Sequence, residues 1–137
     1  MPIRQIQRLA IAYTGVVLLL VTLPINGEDQ FLGKLNDNYV FQIRFDYISH
    51  VLLFIPWVLF VWLGWDWLNK PKWVQLGLLT VSVGFAIACE CIQWPLTYRT
   101  FNINDLVSNV LGILTGYLLL QTTGPWLALR LKARLHL

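Results

Sequence analysis

The chain has 137 residues, 57% of them hydrophobic and only 12% charged, with a formal net charge of +3 and a mean hydropathy of +0.61. A soluble domain carries about a quarter charged residues. Half that share, with apolar runs near twenty residues, places the chain in a bilayer. Nucleic acid is excluded as a partner, because the basic residues are scattered and never form a patch with interleaved aromatics.

The first run, "LAIAYTGVVLLLVTL", covers residues 9–23 and stops at Pro24. Arg4 and Arg8 precede it as they would a secretory signal, but "PINGEDQ" after it lacks a small-x-small cleavage site, so it reads as a retained span. The second, "YISHVLLFIPWVLFVWLGW", covers 47–65 and carries Pro56, which membrane helices tolerate where neighbours satisfy the freed carbonyl. The third, "WVQLGLLTVSVGFAIACECIQ", covers 73–93. It ends because Trp94 precedes Pro95, and a residue before proline avoids the helical region. Cys89 and Cys91 on it diverge by about 200° and cannot bridge each other. The fourth, "INDLVSNVLGILTGYLLLQ", covers 103–121 and opens on Asn102 and Asp105, spaced as a capping box. The tail "PWLALRLKARLHL" alternates leucine with basic residues. Its leucines gather on no helical face, so it reads as an interfacial basic anchor and not as a clean amphipathic helix.

The expected fold is therefore all-α: a four-transmembrane-helix bundle forming one domain over residues 1–137. With a cytoplasmic N-terminus, Arg4, Arg8, Lys70, Lys72, Arg130, Lys132 and Arg134 fall inside, against Lys34, Arg44 and Arg99 outside. That bias places both termini in the cytoplasm.

In this arrangement the polar residues of the apolar runs collect at the outer helix ends. Asp46 and His50 share a face at i and i+4 on the second helix, Glu90 and Gln93 at i and i+3 on the third, and Asp105 and Asn109 at i and i+4 on the fourth. Arg99 sits in the turn between the last two. A glutamate about 6 Å below a helix end is costly against lipid, so Glu90 should face the bundle. Taken singly, Asp46 and Asp105 read as helix caps, His50 as a core histidine, and Gln93 and Asn109 as interhelical glue. Their co-location argues for one site. Gly112 and Gly116 form a small-x-x-x-small packing step behind it, and Gly77, Gly84 and Ala88 form a similar surface on the third helix.

The stretches "FDYISHVLLF", "ECIQ" and "RTFNINDLVSNVLGILTG" together resemble the VanZ-like family of small bacterial integral membrane proteins. The resemblance covers residues 45–120, with Asp46, His50, Glu90, Gln93, Arg99, Asp105, Asn109, Gly112 and Gly116 in matching positions. It implies a cell-envelope protein of the bacterial cytoplasmic membrane, from a family named for association with teicoplanin resistance. It implies no particular reaction.

Two readings follow. In the first, the site binds or processes an envelope lipid, a lipid-linked intermediate or a glycopeptide. Glu90 is then the general acid/base, His50 a proton carrier positioned by Asp46, and Arg99 a fork for phosphate or carboxylate. Asp105, Asn109 and Gln93 orient the ligand. A divalent metal is compatible, since one imidazole and three carboxylates suit manganese or magnesium, less typically zinc. In the second reading the chain is a non-catalytic scaffold or partner subunit, and the same residues form a structural hydrogen-bond network.

Overall fold

In the computed structural model, the residues described are 3–22, 39–40, 43–96 and 101–135. They form helices α1 (Ile3–Thr22), α2 (Phe45–Gly64), α3 (Lys72–Gln93) and α4 (Ile103–Leu135). A two-residue antiparallel ladder, β1 (Tyr39–Val40) with β2 (Ile43–Arg44), leads into α2, and a 3-10 turn at Trp67–Asn69 leads into α3. The chain is all-helical in class. Four helices are long and apolar enough to cross a membrane, the fourth over Ile103–Trp126.

Each helix buries one stripe. On α1 it is Ala10, Val17 and Val21; on α3 it is Gln75, Ser82, Ala86, Cys89 and Gln93, a spacing of three, four and seven that keeps one face inward. The core between them holds Phe54, Trp57, Val58, Trp62, Ile113 and Leu120. Trp57 stacks on Phe85 with centroids 4.7 Å apart, and its indole N–H donates to Thr14 Oγ1 at 2.9 Å. This gives the buried ring its polar partner. Pro56 leaves α2 continuous, and in the turn before it Tyr13 donates its hydroxyl to the Leu53 carbonyl at 3.1 Å.

The parallel pair α2 and α4 forms the main helix contact. Glycine makes it close. A Cβ on Gly112 would lie 2.5 Å from the Val51 carbonyl oxygen, and one on Gly116 would lie 3.1 Å from that of Ile55. The expected packing step on α4 is therefore present. The matching step on α3 is not: a Cβ on Gly77 or Gly84 meets nothing within 4 Å, and both glycines and Ala88 are exposed. The inward stripe of α3 is instead set by Glu90 and Gln93, and the small residues fall on the opposite face.

The tail also departs from expectation. Helix α4 runs through Gly124 and Pro125 to Leu135, where the sequence pattern suggested an irregular anchor. Extending a helix already nucleated costs little, and the first turn past a missing N–H recovers the backbone ladder. Exposed tryptophans mark both ends of the bundle: Trp94 at one, Trp65, Trp73 and Trp126 at the other. From Trp73 to Trp94 α3 rises about 32 Å at 1.5 Å per residue, the separation expected of two membrane interfaces.

Candidate functional site

The ends of α1 and α3 and the starts of α2 and α4 meet at the Trp94 end of the bundle. The first turn of α2 carries Asp46 and that of α4 carries Asp105, where the positive helix ends favour carboxylates. Asn102 opens α4. Its Oδ1 accepts from the Asn104 backbone N–H at 3.0 Å, and its Nδ2 donates to Asp105 Oδ1 at 3.1 Å. This is the expected capping pair, with the reciprocal bond made between side chains. It leaves Asp105 Oδ2 aimed at α2, 3.9 Å from His50 Nε2.

One turn further in, Asn109 joins three helices. Its Nδ2 donates to Glu90 Oε1 on α3 at 2.9 Å, and its Oδ1 lies 2.9 Å from His50 Nδ1 on α2. The network assigns the protons. With its amide nitrogen spent on a carboxylate, Asn109 offers His50 only an acceptor, so Nδ1 carries the hydrogen and Nε2 faces Asp46 and Asp105. Asp46 Oδ1 stands 3.8 Å from that nitrogen, too far for a hydrogen bond. The sequence reading had Asp46 positioning His50; the structure gives that role to Asn109, because the close α2–α4 approach brings the amide within bonding distance.

Glu90 is fully buried, and its Oε1 contacts Asn109. His50 and Asp105 lie near enough to it for electrostatic interaction, and the Asn102 backbone N–H lies within weak hydrogen-bonding reach of the carboxylate, yet its Oε2 has no closer partner among the described residues. Glu90 thus stands behind Asn109 and does not join Asp46, His50 and Asp105 directly. Gln93, also fully buried, donates Nε2 to the Val21 carbonyl near the end of α1 at 3.0 Å, and its Oε1 has no partner among the described residues. Ser49 and Ser108 bond back to their own helices, to the carbonyls of Asp46 and Asn104. Six of the seven residues read as a site are brought to this end; Arg99 lies outside the described residues.

The VanZ/LLP1 family model matches residues 6–124. The chain belongs to the VanZ/LLP1 family. That match covers α2 and α3 entirely, α1 from residue 6 onward and the fourth span as far as residue 124. A segment of 74 residues, 54% of this chain, is 34% identical to uncharacterized protein C11E3.10 of Schizosaccharomyces pombe. The matched segment is 45% of that protein, so the chain spans less than half the length of this relative. No solved structure matches.

Two features of the VanZ/LLP1 site escaped the sequence. The Val21 carbonyl brings α1 into it, and a backbone group carries no sequence signal. The Asn104 amide donates to the Tyr47 hydroxyl at 3.2 Å, a second α4–α2 tie beside the site; polar residues beside the expected helix starts were the clue. At the opposite end a cavity of about 390 Å³ opens beside Trp62, Asp66 and Gln121. It is remote from all six residues.

Proposed function

We propose that this VanZ/LLP1 protein binds the head group of an envelope lipid or lipid-linked intermediate at the Trp94 end of its bundle. In this reading that end faces the outer leaflet of a cell's cytoplasmic membrane. One observation carries it. Among the described residues, Asp46 Oδ1, Glu90 Oε2 and Gln93 Oε1 are all buried acceptors without a hydrogen-bond partner, all at one end. A network retained only as structural glue saturates its own acceptors, because each orphan costs about 1–3 kcal/mol. Acceptors left open in one place are what a ligand with donors or a cation would fill. His50 supplies a group able to move a proton there, and Glu90 backs it through Asn109.

The scaffold reading has its own support, since Gln93 ties α3 to α1 and Asn109 ties α4 to both α2 and α3. Glu90→Gln separates the two. The substitution keeps size and most hydrogen-bonding capacity but removes the charge. On the ligand reading, the variant melts at or above the parent temperature in detergent, since a buried carboxylate is relieved, while the lipid that copurifies with the parent is lost. Lipid extracts of the two proteins, compared by mass spectrometry, check this. Identical lipid content with a lowered melting temperature would leave the scaffold.

A further inference from the structure

We infer that Asp46, His50 and Asp105 form a binding site for a divalent cation of the manganese or zinc class. The inference deepens the head-group reading and rests on the same cluster. All three residues are buried, and one donor atom from each lies within 4.8 Å of the other two. The three come from the first two turns of two parallel helices locked together at Gly112 and Gly116, so their separation is fixed by backbone packing.

Spacing and proton assignment both favour a metal over a proton. An imidazolium paired with a carboxylate draws it to about 2.8 Å. Here Nε2 stands nearly equidistant from two carboxylates, 3.8 Å from Asp46 Oδ1 and 3.9 Å from Asp105 Oδ2. Two bonds of about 2.1 Å span up to roughly 4.2 Å, so an ion can bridge the imidazole to either carboxylate. Nδ1–H is held by Asn109, which leaves the Nε2 lone pair pointing at the same space. Metal-bound histidines characteristically donate their other N–H to an acceptor of this kind, and that acceptor is itself held in place. Here the chain is His50 to Asn109 to Glu90.

An independent observation points into the same space. Asp46 Oδ1 is a buried carboxylate oxygen with no hydrogen-bond partner among the described residues, and its side chain is 9% exposed. Two carboxyl groups and one imidazole lone pair face the same buried space, a donor set whose charge a divalent ion would balance. The donor set of one imidazole and two carboxylates lies where manganese and zinc preferences overlap; magnesium and calcium take all-oxygen sets more readily. The ion also changes what the site can receive. Carboxylates alone repel a phosphate, whereas an ion with open positions would accept a phosphate or carboxylate oxygen of a head group.

The test uses the full chain in detergent, stripped with chelator, then titrated with Mn²⁺ and separately with Zn²⁺. The expected results are one ion per chain, a raised melting temperature, and, for Mn²⁺, a pulsed-EPR nitrogen coupling from a bound imidazole. That coupling persists in His136→Gln, which removes the other histidine of the chain. Asp46→Asn and Asp105→Asn lose the ion at equal side-chain size. Glu90→Gln removes no ligand, yet weakens binding about 10- to 100-fold by freeing Asn109 to turn and switch the tautomer. Absence of nitrogen coupling in the parent, or stoichiometric binding that survives the Asp46→Asn/Asp105→Asn double variant, overturns the site. A parent protein that binds lipid but no metal overturns the metal alone; one that binds metal but no lipid overturns the head-group reading alone.

Discussion

At the scale of single residues, Asn109 is the joint of the site. It is fully buried and uses both ends of its amide, one toward His50 and one toward Glu90. Asn109→Ala strands the His50 Nδ1–H and Glu90 Oε1, at about 1–3 kcal/mol for each group. Because a Glu90 carboxylate left without its donor is part of that cost, Glu90→Gln should be more favourable in the Asn109→Ala background than in the parent, a coupling of about 0.5–3 kcal/mol. Unfolding in mixed micelles measures the cycle, and simple additivity would deny the chain from His50 to Glu90. The sequence revealed which residues belong together, because i and i+4 spacing fixes a helix face. It did not reveal who touches whom. The i and i+4 spacing pointed to Asp46 for positioning His50, whereas Asn109 does it. Choosing between them needs the rotation and offset of α4 against α2, which the helix period alone leaves free.

Among elements, glycine decides which faces meet. A Cβ on Gly112 would press on backbone, the Val51 carbonyl, which cannot swing aside as a side chain can. Gly112→Ala should cost about 1–3 kcal/mol by overpacking, and it should also disturb the site by pushing Asn109 away from His50. Gly77→Ala meets nothing. It should be neutral or up to about 1 kcal/mol stabilising, from helix propensity. Melting curves of the two variants check the contrast; equal losses would mean that α3 packs through its small residues after all. Both stripes looked alike in sequence. What distinguished them was Glu90 and Gln93, since turning the polar pair inward turns Gly77, Gly84 and Ala88 outward. The four spans were legible from hydropathy, with ends within a turn or so for α2 and α3. The long extension of α4 was not, because Pro125 and the alternating tail both argue locally for an end, and the growing helix overrides them.

For the whole molecule, the open matter is which side of the membrane receives the site. Four spans put the α2–α3 turn on one side and the α1–α2 and α3–α4 connections on the other. The site lies with the latter. The proposed orientation rests on the basic residues at the opposite end, with Lys70 in the turn, Lys72 at the start of α3 and Arg4 and Arg8 on α1, which the positive-inside bias would hold in the cytoplasm. In a background lacking Cys89 and Cys91, Asn36→Cys should react with an impermeant maleimide in intact cells. Asn69→Cys, in an exposed turn, should react only after the cells are opened. The background itself is benign on one side only: Cys91 is exposed, whereas Cys89 is buried in the core and is best replaced by alanine. Reversed labelling would move the site to the cytoplasmic leaflet. The cluster of Asp46, His50, Glu90, Asp105 and Asn109 would stand unchanged, but its ligand would then have to be a head group on the inner leaflet, and the outer-leaflet proposal would fall.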